Sequence, residues 1–168
     1  VAFLGRSNVG KSSCINTLVQ VRGTARTSRT PGRTQAINLF DVAGALLLAD
    51  LPGYGFAKVP PKVQAAWKPL VEAYLFGRPS LVLSILLVDV RRPPGGMDAD
   101  LLWSLRENRV PVVLVVTRCD KLSRQELQKA LGILEREYRL PEGDLIPFSS
   151  LTGLGRDALV ARIERNLR

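Results

Sequence analysis

An apolar strand, Val1 to Leu4, runs straight into Gly5-Arg6-Ser7-Asn8-Val9-Gly10-Lys11-Ser12-Ser13, and an amphipathic stretch, Ser12 to Leu18, leaves it. The stretch fits the phosphate-binding spacing G-x-x-x-x-G-K-[ST]. Gly5 and Gly10 carry no Cβ, so the backbone can curl there and approach an anion closely. The N–H groups from Asn8 to Ser13 then point into a concavity, and the helix after it adds its positive end. Lys11 can reach the β- and γ-phosphates of a nucleotide, and the Ser12 hydroxyl can ligate Mg²⁺. The competing reading is a glycine-rich turn before a helix. The strand before and the helix after weigh against it.

Beyond this loop the chain alternates strands and helices. Val21 to Gln35 is rich in Arg, Thr, Ser and Gly and has neither helical nor strand periodicity, so it reads as a mobile loop. Loops of that length tend to be functional. Thr34, near its end, precedes the strand Ala36–Val42; such a Thr can bring its hydroxyl to Mg²⁺ and the γ-phosphate, or be an ordinary strand-flanking residue. Gly44 turns the chain into an antiparallel partner, Ala45–Ala49. At that strand's end stands Asp50-Leu51-Pro52-Gly53. An Asp at the carboxyl end of a buried strand opens onto the ligand crevice. Asp50 can hold Mg²⁺ through water, and the Gly53 N–H can meet the γ-phosphate. Tyr54 to Val59 forms a second loop.

Pro60 and Pro61 introduce a helical stretch to Phe76, with Val63, Ala66, Leu70 and Tyr74 as its apolar stripe and Pro69 expected to kink or split it. Leu81 to Val88 reads as a strand buried on both faces. Asp98 can cap the next helix, whose Leu101, Leu102 and Leu105 face inward. Val112 to Val116 is another apolar strand and ends in Thr117-Arg118-Cys119-Asp120. A carboxylate there can accept from guanine N1–H and N2–H₂, a donor pair adenine lacks; the bland alternative is a surface Asp capping a turn. Ser123 and Glu126 form a capping box for a helix to Tyr138. Leu145 to Phe148 reads as a last strand, trailed by Ser149-Ser150-Leu151, whose backbone N–H groups could meet the guanine O6. Gly155 to Leu167 is an amphipathic helix with Leu159 and Ile163 inward. Alternation with one hairpin gives an α/β sheet, mostly parallel.

A chain of 168 residues that is 46% apolar suits one domain with a real core. No apolar run reaches membrane-spanning length. The absence of His excludes His-based catalysis and His metal sites. Cys14 and Cys119 have no motif spacing, which fits a reducing compartment. The net charge is +9, distributed unevenly: residues 1–40 hold Arg6, Lys11, Arg22, Arg26, Arg29 and Arg33 and no acid, and Lys58, Lys62 and Lys68 lie in a second acid-free run. Such a surface suits a polyanionic partner or serves solubility alone.

The four blocks Gly5–Ser12, Thr34, Asp50–Gly53 and Thr117–Asp120 resemble the translation-factor-like GTPases. The wording of Gly5 to Ser13, of Thr30-Pro31-Gly32-Arg33-Thr34-Gln35 and of Asp50-Leu51-Pro52-Gly53-Tyr54-Gly55-Phe56-Ala57 is similar to the EngB family, also called YihA or YsxC, over essentially the whole chain. The resemblance implies a three-layer Ras-like P-loop GTPase fold with a six-stranded sheet in the order 2-3-1-4-5-6, strand 2 antiparallel. It implies GTP and GDP as ligands and Mg²⁺ as cofactor. Its implied partner is the large ribosomal subunit or a precursor, through ribosomal RNA, and the family is also associated with division septation. No DNA or membrane partner is implied, the location is cytoplasmic, and the chain is expected to act as a monomer. Residues before the first strand are expected to be missing.

Residue by residue, the resemblance assigns phosphates to Gly5, Arg6, Ser7, Asn8, Val9, Gly10, Lys11, Ser12 and Ser13. The metal goes to Ser12 and Thr34, with Asp50 acting through water. The first switch is Gly32, Arg33, Thr34, Gln35 and Ala36, and the second opens at Asp50, Leu51, Pro52 and Gly53. Guanine falls to Thr117, Arg118, Cys119 and Asp120, backed by Phe148, Ser149 and Ser150. Arg118 departs from the usual Lys. It can stack on a base but is not the same point charge. Lys11 supplies transition-state charge in the hydrolysis of GTP to GDP and phosphate. Tyr54 stands where Ras-type proteins carry a water-orienting Gln, so no catalytic base is named and slow intrinsic turnover is expected. Asn8 occupies a position that carries Asn in several potassium-activated GTPases, which adds K⁺ as a second candidate ion; the alternative is that Asn8 only shapes the loop. Two further readings compete: a GTP-gated RNA- or ribosome-binding module with incidental hydrolysis, and, against the guanine block, a P-loop kinase.

Overall fold

The structure is a computed structural model that describes residues 1–19, 37–55 and 61–168, the side chains of 61–68 excepted. The sheet is built from β1 (Ala2–Gly5), β2 (Asn38–Val42), β3 (Leu46–Asp50), β4 (Ser84–Asp89), β5 (Val112–Thr117) and β6 (Leu145–Pro147). Its order is β2-β3-β1-β4-β5-β6. Only β2–β3 pairs antiparallel, Phe40 facing Leu48; the other pairings are parallel. The hairpin closes through Ala43 and Gly44, both at positive φ (53° and 69°), with the Gly44 N–H donating to Asp41 Oδ1 at 2.9 Å. This is the twist-matched turn an antiparallel pair needs.

The helices are α1 (Lys11–Val19), α2 (Pro61–Phe76), α3 (Met97–Glu107), α4 (Arg124–Glu137) and α5 (Arg156–Leu167). They cover both faces, which is why β1, β4 and β5 are apolar without alternation and buried along their whole length. One core lies between the sheet and α1 and α5, around Phe3, Ile15, Ile85, Leu87, Phe148 and Leu159. The other lies beneath α2, α3 and α4, around Leu51, Leu75, Leu86, Leu102, Leu105 and Leu134. Among the described residues no helix is long and apolar enough to cross a membrane.

Several local expectations change. The β4 run is strand only from Ser84, because Leu81 N–H is drawn to Arg78 O (3.0 Å) in a turn. The last strand ends at Pro147, one residue early. Helix α2 runs through Pro69 as one element, so the proline does not split it. Its buried face also differs from the stripe read in the sequence. Leu70 is exposed, whereas Val71, Tyr74 and Leu75 pack on the core; the side chains of Val63 and Ala66 lie outside the described residues. Asp98 is not the cap of α3. Gly96 holds that position, and the buried Asp98 carboxylate accepts from the Tyr54 hydroxyl instead. The capping box on α4 is present, Ser123 and Glu126 bonding reciprocally.

Candidate functional site

The carboxyl ends of β1, β3, β4 and β5 share one edge, and the loops that leave them build the site. Gly5, at φ +146°, ends β1; a Cβ there would lie 2.6 Å from Leu87 O, so only glycine allows β1 to lie against β4 this closely. Asn8 and Gly10 take positive φ of 62° and 110°, curling the loop before α1. Such alternation turns successive N–H groups to one side. Lys11, the first residue of α1, is buried, with Nζ 3.5 Å from Gly5 O and its charge toward Asp50. Burial lowers the Lys11 ammonium pKa, with Asp50 opposing the shift.

Asp50 ends β3 beside it. Its Oδ2 accepts from Ser12 Oγ at 2.9 Å, while Oδ1 is buried without a partner. Burial raises the Asp50 pKa, Lys11 and Ser12 pulling the other way. A hydroxyl and an unsatisfied carboxylate oxygen at a phosphate loop are hard donors of the sort Mg²⁺ takes alongside phosphate and water. Among the described residues no cluster of three or more His, Cys, Asp or Glu forms a protein-only metal cage. Leu51 and Pro52 are buried. Gly53 lies on the phosphate loop: its carbonyl accepts from Ser7 Oγ at 3.2 Å, and a Cβ on it would come within 2.9 Å of Lys11 Nζ and of Ser7 N and Cα. Ser13 is the third residue of α1, its carbonyl accepting from Thr17 Oγ1 at 2.9 Å.

The block after β5 closes the other end. Thr117 is buried and its hydroxyl faces the phosphate loop, 2.8 Å from Val9 O and 3.1 Å from Val88 O. Arg118 takes the left-handed conformation (φ 62°, ψ 30°). Its guanidinium donates to Asn8 O and lies 3.2 Å from Asp89 Oδ2. Asp89 also receives Arg91 through both oxygens, at 2.9 and 2.8 Å. Burial pushes the Asp89 carboxyl up, but the arginines outweigh it and the net shift is downward. Cys119 is buried, its Sγ toward Val116 O and its N–H donating to Phe148 O at 3.2 Å. Asp120 Oδ1 accepts from Ser149 Oγ at 2.6 Å and Oδ2 lies 3.1 Å from Lys121 Nζ. The Ser149 bond, then Lys121, hold the Asp120 carboxyl below the usual carboxylate range.

Ser149 is in turn fixed by the Leu151 and Thr152 amides, which donate to its hydroxyl. Phe148 is fully buried beneath the turn, and Ser150 is exposed beside it. The structure therefore brings together Gly5 to Ser13, Asp50 to Gly53, Thr117 to Asp120 and Phe148 to Ser150 on one edge. Gly32, Arg33, Thr34, Gln35 and Ala36 lie outside the described residues.

Sequence alone does not single out three participants. Asp89 anchors Arg118 and is itself held by Arg91, and Asp98 receives Tyr54 Oη at 2.7 Å. Asp89 carries a sequence signal like that of Asp50: an acid terminating an apolar strand. Asp98 carries none, since it sits in the first turn of a helix where acids are common.

The sequence profile of the 50S ribosome-binding GTPases matches residues 1–118. The probable GTP-binding protein EngB of Geobacter sulfurreducens is 52% identical over 98% of this chain and 80% of its own length. That of Geobacter metallireducens is 54% identical over the same shares. The chain belongs to the EngB family of GTP-binding proteins. Among solved structures, a probable GTP-binding protein EngB superposes with a TM-score of 0.82 at 26% identity, over 99% of this chain and 97% of the other. The Era GTPase of Aquifex aeolicus shares the fold at a TM-score of 0.80 and 20% identity, over 99% of this chain and 56% of its own. As a member of the EngB family the chain is a P-loop GTPase, binding GTP and hydrolysing it to GDP and phosphate.

Proposed function

We propose that this EngB-family GTPase works with Mg²⁺ in the assembly of the large ribosomal subunit, in the cytoplasm, as a monomer that ribosomal RNA and GTP engage together. The observation that carries the reading is the pairing of two poles on one sheet edge. Lys11, Ser12 and Asp50 stand at one end and Asp120, backed by Ser149, at the other, with Thr117 and Arg118 joining them.

On this reading the loop amides and Lys11 hold the β- and γ-phosphates and balance the charge that develops during transfer. Ser12 ligates Mg²⁺ directly and Asp50 through water, with Thr34 completing the set; the ion neutralises charge between the phosphates when bound. Asp120 accepts the two guanine donors, Arg118 lies along the base, and the exposed Ser150 amide meets O6. Gly53 N–H meets the γ-phosphate. Tyr54 Oη is committed to Asp98, so it orients no water, which supports slow turnover without a partner. The same commitment favours a second reading, a GTP-gated ribosome-binding module whose hydrolysis is incidental. The septation associated with the family is consistent with either.

The basic residues Arg22, Arg26, Arg29, Arg33, Lys58 and Lys62 flank the two nucleotide-facing loops in sequence; Lys62's side chain and the other five residues lie outside the described residues. They suit phosphate backbone, with counterion release on contact. The test is binding to large-subunit particles across a salt series with a GTP analogue and with GDP. Affinity is expected to fall by about one unit of logarithmic slope per contact. Arg29→Glu with Lys62→Glu weakens particle binding and leaves GTP affinity intact. Equal, salt-independent binding in both nucleotide states refutes the reading. Single-turnover hydrolysis with and without particles separates an assembly GTPase, which they accelerate, from the gated module, which they do not.

A further inference from the structure

Tyr54 comes directly after Asp50-Leu51-Pro52-Gly53 and is tied down at both ends. Its carbonyl accepts from the Ser7 N–H at 2.9 Å, and its hydroxyl donates to Asp98 Oδ1 at 2.7 Å. Asp98 is buried in the first turn of α3. Arg6, next to Ser7 in the phosphate loop, lies 3.8 Å from the other Asp98 oxygen, and its backbone forms a parallel bridge with Tyr54. The Arg6 guanidinium also lies across Gly55, which turns at φ +76° and where a Cβ would come 3.1 Å from Arg6 Nε. Three separate segments, the phosphate loop, the residues after β3 and the start of α3, thus meet on one part-buried hydroxyl–carboxylate bond.

The bond has a geometric consequence one residue upstream. With Tyr54 held between Ser7 and Asp98, Gly53 lies against the phosphate loop, its carbonyl accepting from Ser7 Oγ at 3.2 Å, with so little room that a Cβ on it would come 2.9 Å from Lys11 Nζ. Lys11 serves the terminal phosphates, and the Gly53 amide is the group that a γ-phosphate, but not a β-phosphate, can use. A segment already fixed in its bound position spares the ligand the ordering cost of fixing it.

We propose that Tyr54 and Asp98 are positioning residues for the terminal phosphate: their hydrogen bond sets Gly53 against Lys11 before nucleotide arrives and so favours the triphosphate over the diphosphate. The inference rests on the reading of this edge as the guanine-nucleotide site. It departs from the Ras pattern, since the side chain after Gly53 acts on the protein rather than on water.

The test measures dissociation constants for a non-hydrolysable GTP analogue and for GDP, with Mg²⁺, on the whole chain and on Tyr54→Phe and Asp98→Ala. Each substitution removes one end of a hydrogen bond to a charged group. The triphosphate analogue is expected to bind about ten-fold more weakly, the lower range of what such a bond supports, with GDP within about two-fold. The double variant is expected to be no worse than Asp98→Ala alone, since Tyr54→Phe removes only a bond that Asp98→Ala has already broken. Thermal unfolding monitors the fold, and Tyr54→Phe, which keeps the buried ring, carries the test if Asp98→Ala does not fold. An unchanged triphosphate-to-diphosphate ratio, equal weakening of both nucleotides, or tighter triphosphate binding overturns the proposal alone. A parent chain that binds neither nucleotide overturns the site reading with it.

Discussion

Thr117→Val separates two roles for a residue at the guanine block. The hydroxyl has one proton and two carbonyl neighbours, Val9 O at 2.8 Å on the phosphate loop and Val88 O at 3.1 Å on β4. Valine keeps the shape and removes the donor. The Val9 carbonyl then stays buried without its partner, at a cost of about 1–3 kcal/mol. The methyl that replaces the hydroxyl returns about 0.8 kcal/mol. The net loss is about 0.2–2 kcal/mol, centred near 1, which in a chain of 168 residues lowers the unfolding midpoint by about 3 °C. The loop loses its tether to β5, so nucleotide dissociation is also faster. Because the hydroxyl points to the loop and not to the base, GDP and inosine diphosphate should lose affinity by the same factor. Thermal unfolding by circular dichroism and stopped-flow dissociation of both nucleotides check this, with Thr117→Ser retaining most of the parent behaviour. A midpoint within about 1 °C of the parent, or a loss confined to guanine, refutes the tether.

Asp120→Asn should weaken GTP tens-fold, the effect of an unpaired buried polar group, and gain xanthosine triphosphate; equilibrium titration with both nucleotides checks it. The depressed Asp120 pKa also fixes the sign of the pH dependence. Its carboxylate contribution is complete above the ordinary carboxylate range and is lost only as pH falls through the lowered value, so the preference for GTP over ATP, in which protonation of the terminal phosphate cancels, should stay flat down to about pH 5. A decline that begins above that pH contradicts the assignment. Asn8 is exposed at φ 62° on the loop, open to a monovalent cation; hydrolysis should run faster in potassium than in sodium, and equal rates remove Asn8 from that role.

The sheet was legible because its strands need no tertiary information. Val1 to Leu4 and Val112 to Val116 are apolar on both faces, and Gly44 at a turn between two short runs marks the only antiparallel pairing among the described strands. The ligand edge was legible for a related reason: loops that leave parallel strands must converge at their carboxyl ends, so Gly5, Asp50 and Thr117 meet whatever lies between them. Side-chain partnerships were not. Asp98 at the start of α3 satisfies the local rules for a cap, and what overrides them is Tyr54, distant in sequence, whose hydroxyl donates to the Asp98 carboxylate. Leu70 and Val71 are both apolar and adjacent, and a helix rotated by one residue exchanges their environments; only the packed face decides.

Arg118 stands in a backbone conformation that ordinary residues resist. At φ 62° and ψ 30° its Cβ crowds the next carbonyl, which costs about 1–2 kcal/mol for any residue but glycine and more for one branched at Cβ. Two filters therefore act on this position. The turn admits glycine, asparagine and unbranched side chains, while the Asn8 carbonyl and the Asp89 carboxylate ask for a long cation. Lysine and arginine alone pass both. An exchange between lysine and arginine is then the one that leaves both turn and charge intact, and any other side chain here loosens the joint between the phosphate loop and the end of β4.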